Sequence, residues 1–96
     1  MSLRLRHDIF LKINREREKQ ERKHGENSIL KQDPFSFMNI GILGEEFGEV
    51  ARALQDVYWC HQGDLNSFQE EEHLKDELIQ VVAVAVAWLE ALEKTE

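Results

Sequence analysis

Glu45, Glu46 and Glu49 crowd into the run Gly44-Glu45-Glu46-Phe47-Gly48-Glu49, and Glu77 and Gln80 repeat the three-residue spacing in Glu77-Leu78-Ile79-Gln80. Polar groups three apart share one face of a helix. Both clusters also border an apolar stripe. A carboxylate directed at a helix interface is costly to bury unless it is paired, protonated or bound to a cation. Two such clusters on facing helices make a cup for a hard divalent metal. Oxygen ligands suit Mg²⁺ or Mn²⁺, which keep open positions for phosphate oxygens. Gln80 stands where a fourth carboxylate would complete the cup. Its amide oxygen can coordinate but brings no charge. Acidic clusters also arise on solvated helices, and spacing alone leaves that alternative open. A di-iron bundle site would use Glu plus Glu-x-x-His. Only Glu70-x-x-His73 offers that pattern, at a helix start where a charged surface turn explains it better.

The elements that must position these groups are three helices. The first covers residues 2–24 and stops at Gly25. Its apolar residues Leu3, Leu5, Ile9, Phe10 and Ile13 end at the midpoint, and residues 14–28 contain no large apolar side chain. That polar half is a solvated arm or one wall of a polar cavity, and composition favours the arm. A polar connector, 26–34, leads to a second helix starting between 33 and 37, with Asp33 or Ser36 as cap and Pro34 suited to the first turn. Ile40, Leu43, Phe47, Val50, Leu54 and Val57 predict its packing seam. Gly41, Gly44 and Gly48 lie together on another side, where a closely approaching helix or ligand would explain them.

After a connector at about 61–67, with Gly63 as stop and Asp64, Asn66 and Ser67 as caps, the third helix covers 68–94. Its predicted seam is Leu74, Leu78, Val81, Ala85, Trp88 and Leu92. At 100° per residue, Glu46 lies roughly 60° from the middle of its seam and Glu49 about 120°. Glu77 and Gln80 flank theirs, and Glu45 points further out. Residues 78–92 are apolar nearly all round, and such a helix needs cover on most sides. One small chain cannot supply it. The expectation is therefore an all-α, three-helix domain over residues 1–96 whose bundle is completed by homo-oligomerisation, as a homodimer or homotetramer. Ala83, Ala85 and Ala87 would allow the close approach.

Composition narrows the partners. The 12 basic and 19 acidic residues give a net charge of −7, which disfavours nucleic acid as a broad partner. The longest apolar run, 81–89, falls far short of the roughly 20 residues of a membrane span, so no membrane partner is expected. A single cysteine, Cys60, excludes an internal disulfide framework. With an N-terminus lacking the apolar core of a signal peptide, this leads to the expectation of a cytoplasmic protein. The Cys60-His61 pair is better read as half-buried packing near a helix end than as a site. Trp59 and Trp88 are likewise better suited to packing than to stacking on a base.

The segment Ile42-Leu43-Gly44-Glu45-Glu46-Phe47-Gly48-Glu49-Val50-Ala51 resembles the Glu-Glu-x-x-Glu motif of the MazG-like, all-α nucleoside triphosphate pyrophosphatases. In that family a Glu-x-x-Asp motif follows one loop later, where this chain has Leu74-Lys75-Asp76-Glu77-Leu78-Ile79-Gln80-Val81. The polar stretch 16–25 resembles the one preceding the first motif in short members, so the likeness covers most of the chain in order. The resemblance implies a Mg²⁺-dependent homo-oligomeric hydrolase, with Mn²⁺ an alternative ion. Its reaction converts a nucleoside triphosphate or deoxynucleoside triphosphate to the monophosphate and pyrophosphate. It implies Glu46, Glu49 and Glu77 as metal ligands with Gln80 at the fourth position, and Glu45 beside them as a further catalytic carboxylate. Arg17, Gln20, Lys23 and His24 would contact phosphates or base. Gln80 departs from the motif. The site then works with fewer charges (Asp76, about one turn earlier, substituting in part), binds nucleotide without efficient turnover, or survives as an interaction module.

Overall fold

The computed structural model describes residues 2–63 and 66–94, and Asp64, an expected cap, lies outside them. All three expected helices form, and among the described residues there is no strand. Helix α1 spans Leu3–His24, with Ser2 Oγ accepting from the Leu5 amide at 3.1 Å. Arg22, Lys23 and His24 occupy its last turn, where positive charge suits the helix dipole. Gly25 ends it at φ 53°, a backbone that side chains resist, and its N–H returns to the Glu21 carbonyl.

Two short 3₁₀ turns, Gly25–Asn27 and Ile29–Lys31, lead to helix α2 at Met38–Gln62. The helix starts later than expected because Asp33 and Ser36 both cap the turn before it. Asp33 Oδ1 accepts from the Phe35 amide at 2.9 Å, and Ser36 Oγ from the Met38 amide at 3.1 Å. Pro34 is buried in that turn rather than in the helix, and its carbonyl accepts the Trp88 indole N–H at 2.7 Å. Asn39, 1% exposed, ties the same turn down by donating to the Asp33 carbonyl at 3.0 Å. Helix α2 runs through His61 and Gln62, and Gly63 stops it. Helix α3, Phe68–Lys94, matches its expected span, with Asn66 Oδ1 accepting from the Phe68 amide at 2.9 Å.

Both α1 and α2 pack on α3, while α1 and α2 scarcely meet. The interior is built from small side chains: Ala53 and Val57 of α2, and Ala83, Val84, Ala87 and Ala91 of α3. A compact chain of this length would have a radius of gyration of about 12.5 Å. The observed 15.4 Å, with extents of 51 × 31 × 22 Å, describes an elongated, thinly covered molecule.

The buried faces differ from those the apolar pattern predicts. On α2, Leu43, Val50 and Val57 turn inward, but Ile40, Phe47 and Leu54 are 57%, 66% and 56% exposed. The inward face is Asn39, Leu43, Glu46, Val50, Ala53 and Val57, rotated by about 50° from the predicted seam. On α3 the shift is larger. Glu77, Ala83, Val84, Ala87 and Ala91 are buried, while Leu78 and Leu89 are exposed. In α1 the apolar half leaves Leu3, Leu5 and Phe10 exposed, and the polar half carries the one buried residue, Arg17. The polar half is therefore not a solvated arm. A Cβ added at Gly41, Gly44 or Gly48 would meet nothing within 4 Å, so among the described residues no element makes the close approach expected there. Among the described residues no helix is long and apolar enough to cross a membrane.

Ala83 is fully buried where the helices close on one another. Ala83→Leu should lower stability by about 1–3 kcal/mol through overpacking, read from the midpoint of urea denaturation. An unchanged midpoint would mean that the close helix approach is not what holds the fold.

Candidate metal centre

The rotation of α2 is what builds the site. Glu46 moves from the flank of the predicted seam to near the middle of the buried face, and Glu49 swings from about 120° to about 80° from its centre. Glu77 of α3 faces them, only 6% exposed. One carboxylate oxygen from each of Glu46, Glu49 and Glu77 lies within 4.8 Å of the other two. No other group of three or more His, Cys, Asp or Glu ligands assembles among the described residues. Glu46 Oε2 and Glu77 Oε2 are buried without a hydrogen-bond partner. A buried polar oxygen left unmade is unfavourable by about 1–3 kcal/mol. Both belong to carboxylates of the trio.

Electrostatics follows from the crowding. Burial, then repulsion from Glu49, Glu16 and Glu45, pushes the Glu46 carboxyl above the ordinary carboxylate range, while Lys23 pulls it back. Burial likewise raises Glu77, reinforced by hydrogen bonding with and repulsion from Glu49 and by repulsion from Glu46. His73 opposes this shift, its Nε2 lying 3.6 Å from Glu77 Oε1 across one helical turn. Such a set keeps a proton or takes a cation. Exposed Glu49 gives the cluster its open side.

Beside the carboxylates lies a cavity of about 390 Å³ between the polar half of α1 and helices α2 and α3. Gln20, Lys23 and His24 line one wall, and Glu45, Glu46 and Gln80 line the other. Exposed Glu45 stands at the rim, and half-buried Gln80 borders the cavity one turn beyond Glu77. Asp76 does not line this cavity. It faces a neighbouring groove.

Arg17 occupies the same wall in a different capacity. Its Nε and Nη2 donate to the two Glu90 oxygens at 2.8 and 3.4 Å, and Nη1 donates to Glu21 at 2.9 Å and to Gln20 at 3.3 Å. Four of the five guanidinium N–H groups are thus taken up. Burial works to lower its pKa, but the hydrogen bonds to Glu90 and Glu21 outweigh this and raise it. Ser28 Oγ donates to the second Glu21 oxygen at 2.9 Å, joining the 3₁₀ segment to the network. Arg17 thereby fixes the cavity wall to α3, with little capacity left to hold a phosphate.

Sequence reasoning missed two participants. His73 was set aside with Glu70, yet its spacing of four from Glu77 was the available signal. Glu90 carried no signal, since only the packing of α1 on α3 reveals its partner. Glu70 is not one of the trio and interacts with Cys60, whose thiol is raised by burial first and then by Glu70 and Asp56. Half-buried Trp88 is anchored to Pro34, whereas Trp59 is 67% exposed and edge-on to Tyr58. No family model matches the chain, and neither a curated protein nor a solved structure matches it.

The raised carboxyls fix a direction for stability against pH. The stability they contribute is fully present below the unfolded carboxyl pKa, about 4.3, and is lost as pH rises through their folded values. Glu77→Gln removes one of them. In EDTA the variant should be more stable than the parent at pH 7, by about 1–2 kcal/mol, with the difference shrinking towards pH 4.5. Urea denaturation across that pH range measures it, and a less stable variant at pH 7 would mean that Glu77 is not under electrostatic strain.

Proposed function

We propose that the chain is a Mg²⁺-dependent nucleotide pyrophosphohydrolase of the MazG-like kind, with Mn²⁺ as an alternative ion. The observation that carries this reading is the trio Glu46, Glu49 and Glu77, two of which keep a buried, unpartnered oxygen, with Glu46 bordering a cavity where Lys19, Lys23 and His24 stand among carboxylates. Hard oxygen donors fit Mg²⁺ and would relieve the repulsion that raises both carboxyls. Glu46, Glu49 and Glu77 would hold the ion, with the Gln80 amide oxygen as a neutral donor. When bound, the ion supplies charge neutralisation for a polyphosphate and a more acidic water.

The chain's own groups supply the rest. Lys23 and His24 present donors to phosphate oxygens, and Gln20 offers an amide to phosphate or base. Arg17 holds that wall in place through Glu90 and Glu21. Water adds to the α phosphorus, the bond to the bridging oxygen breaks, and pyrophosphate leaves. Solvent-facing Glu45, at the cavity rim, takes the proton from the water. A second reading is favoured by Gln80 itself. With three carboxylates instead of four, the same site serves as a nucleotide-binding module with slow turnover. The reading also includes a homodimer or homotetramer, because Leu78, Val82 and Leu89 of α3 and Phe47 and Leu54 of α2 are exposed at 40–66%.

Pyrophosphate release from a panel of NTPs and dNTPs with Mg²⁺ or Mn²⁺ tests the chemistry. Glu46→Ala combined with Glu49→Ala should reduce it by about 100-fold or more. Gln80→Asp should raise turnover if the missing charge limits it. No release above the double variant, with metal-dependent binding of a non-hydrolysable triphosphate, would select the binding module. Absence of both would end the nucleotide reading. Assembly is checked separately by light scattering at micromolar concentration, where a dimer or tetramer is expected and a monodisperse monomer would contradict it.

A further inference from the structure

Glu77 stands between two neutral donors of its own helix. His73 lies four residues before it and Gln80 three after it, and the two donors fall within about 20° of one another around α3. His73 Nε2 is 3.6 Å from Glu77 Oε1, longer than a hydrogen bond. The imidazole side chain is 58% exposed and the carboxylate side chain 8%. A surface His–Glu pair one turn apart keeps both members in water. Here one member is in the interior, and its other oxygen, Oε2, is buried without a partner. The contact with His73 leaves that oxygen unmet.

Topology sends the two neutral donors to opposite ends of the trio. Helices α2 and α3 run antiparallel, since His61 Nε2 meets Ser67 Oγ at 2.8 Å at one end and the Trp88 indole donates to the Pro34 carbonyl at the other. Glu49 is three residues nearer the connector than Glu46 and so falls on the side of His73. Glu46 falls on the side of Gln80, and both of these border the polar cavity. Glu46 and Glu49 are three apart on α2, and His73 and Glu77 four apart on α3. Four is the spacing by which one helix offers two side chains to one ion. The Glu70-x-x-His73 pattern plays no part in this, because Glu70 is not one of the trio.

We propose that His73 is a nitrogen ligand of the carboxylate centre, making it selective for an ion of the Fe²⁺, Co²⁺ and Zn²⁺ class over Mg²⁺. The assignment rests on the metal-binding part of the proposed function and differs from it in the ion preferred. Imidazole suits these first-row ions, whereas Mg²⁺ takes oxygen donors and keeps its waters. Three carboxylates already outweigh the charge of a divalent ion, so a neutral fourth ligand adds a bond without adding repulsion. Little packs on the exposed ring to hold it elsewhere.

Nucleotide-free Co²⁺ titration, followed by visible absorption with Mg²⁺ as competitor, tests the assignment. Carboxylate sites favour such ions to some degree by themselves, so the diagnostic is the change in selectivity when the ring is removed. His73→Ala should weaken Co²⁺ at least about tenfold and leave Mg²⁺ within about twofold. Gln80→Ala should leave the ratio of the two affinities unchanged. Because His73 is exposed, the urea midpoint of His73→Ala in EDTA should match the parent. Histidine-selective NMR with Zn²⁺ should shift the His73 ring nitrogens and leave those of His7, His24 and His61 in place. Equal losses for Co²⁺ and Mg²⁺, no loss for either, a ratio that moves with Gln80→Ala instead, or a shift at His24 in place of His73 would overturn the assignment. Selective, His73-dependent binding in a protein that releases no pyrophosphate would keep the ligand and defeat the hydrolase reading. Pyrophosphate release from a centre indifferent to His73→Ala would do the reverse.

Discussion

The fully buried apolar side chains of helices α2 and α3 are no larger than valine, and that closeness governs the molecule. With Ala53 and Val57 on one side and Ala83, Val84, Ala87 and Ala91 on the other, little volume separates the two backbones. Glu46, Glu49 and Glu77 are attached to those backbones, so they are driven within 4.8 Å of one another. The interface that stabilises the fold is thus the one that concentrates negative charge. Packing density and charge repulsion oppose each other across the same pair of helices, and either a retained proton or a bound cation would relieve the repulsion.

The second constraint sets α1. It has little apolar surface to bury along its second half and is fastened by Arg17, whose guanidinium reaches Glu90 on α3 and Glu21 and Gln20 on its own helix. A buried arginine with two carboxylate partners specifies one orientation more sharply than apolar contact would. That orientation turns Gln20, Lys23 and His24 to one side, against the carboxylates, and Lys12, Arg15 and Arg22 to the other. Lys19 and Glu16 stand between. One helix therefore separates two polar spaces that meet at Gln80.

How far the sequence could be read depends on the kind of information each feature needed. Helix α3 was legible to the residue, since an acidic first turn, Asn66 and Ser67 before it and a long apolar body are local signals. The start of α2 was not, because Asp33 and Ser36 compete for the same role and the chain uses both in succession. The carboxylate trio was legible as a set of residues, through spacing and through a resemblance that carried its order. Its geometry was not. Apolar residues at 40, 47 and 54 drew the predicted seam of α2 away from Glu46, and the structure leaves them exposed.

What the sequence by itself determined is local: the three helices, the stops at Gly25 and Gly63, the Asn66 cap, the acidic identity of residues 45, 46, 49 and 77, and the glutamine at 80. Each depends on neighbours within a few positions along the chain. The tertiary structure alone decided how each helix is turned about its axis. Every residue advances the face by 100°, so apolar stripes one position apart compete, and the choice falls to whichever lets the partner backbone come closer. On α2 and α3 the small side chains won over the large ones. That choice put Glu46 and Glu77 inside, left Phe47 and Leu78 outside, and made of the polar half of α1 a wall instead of an arm.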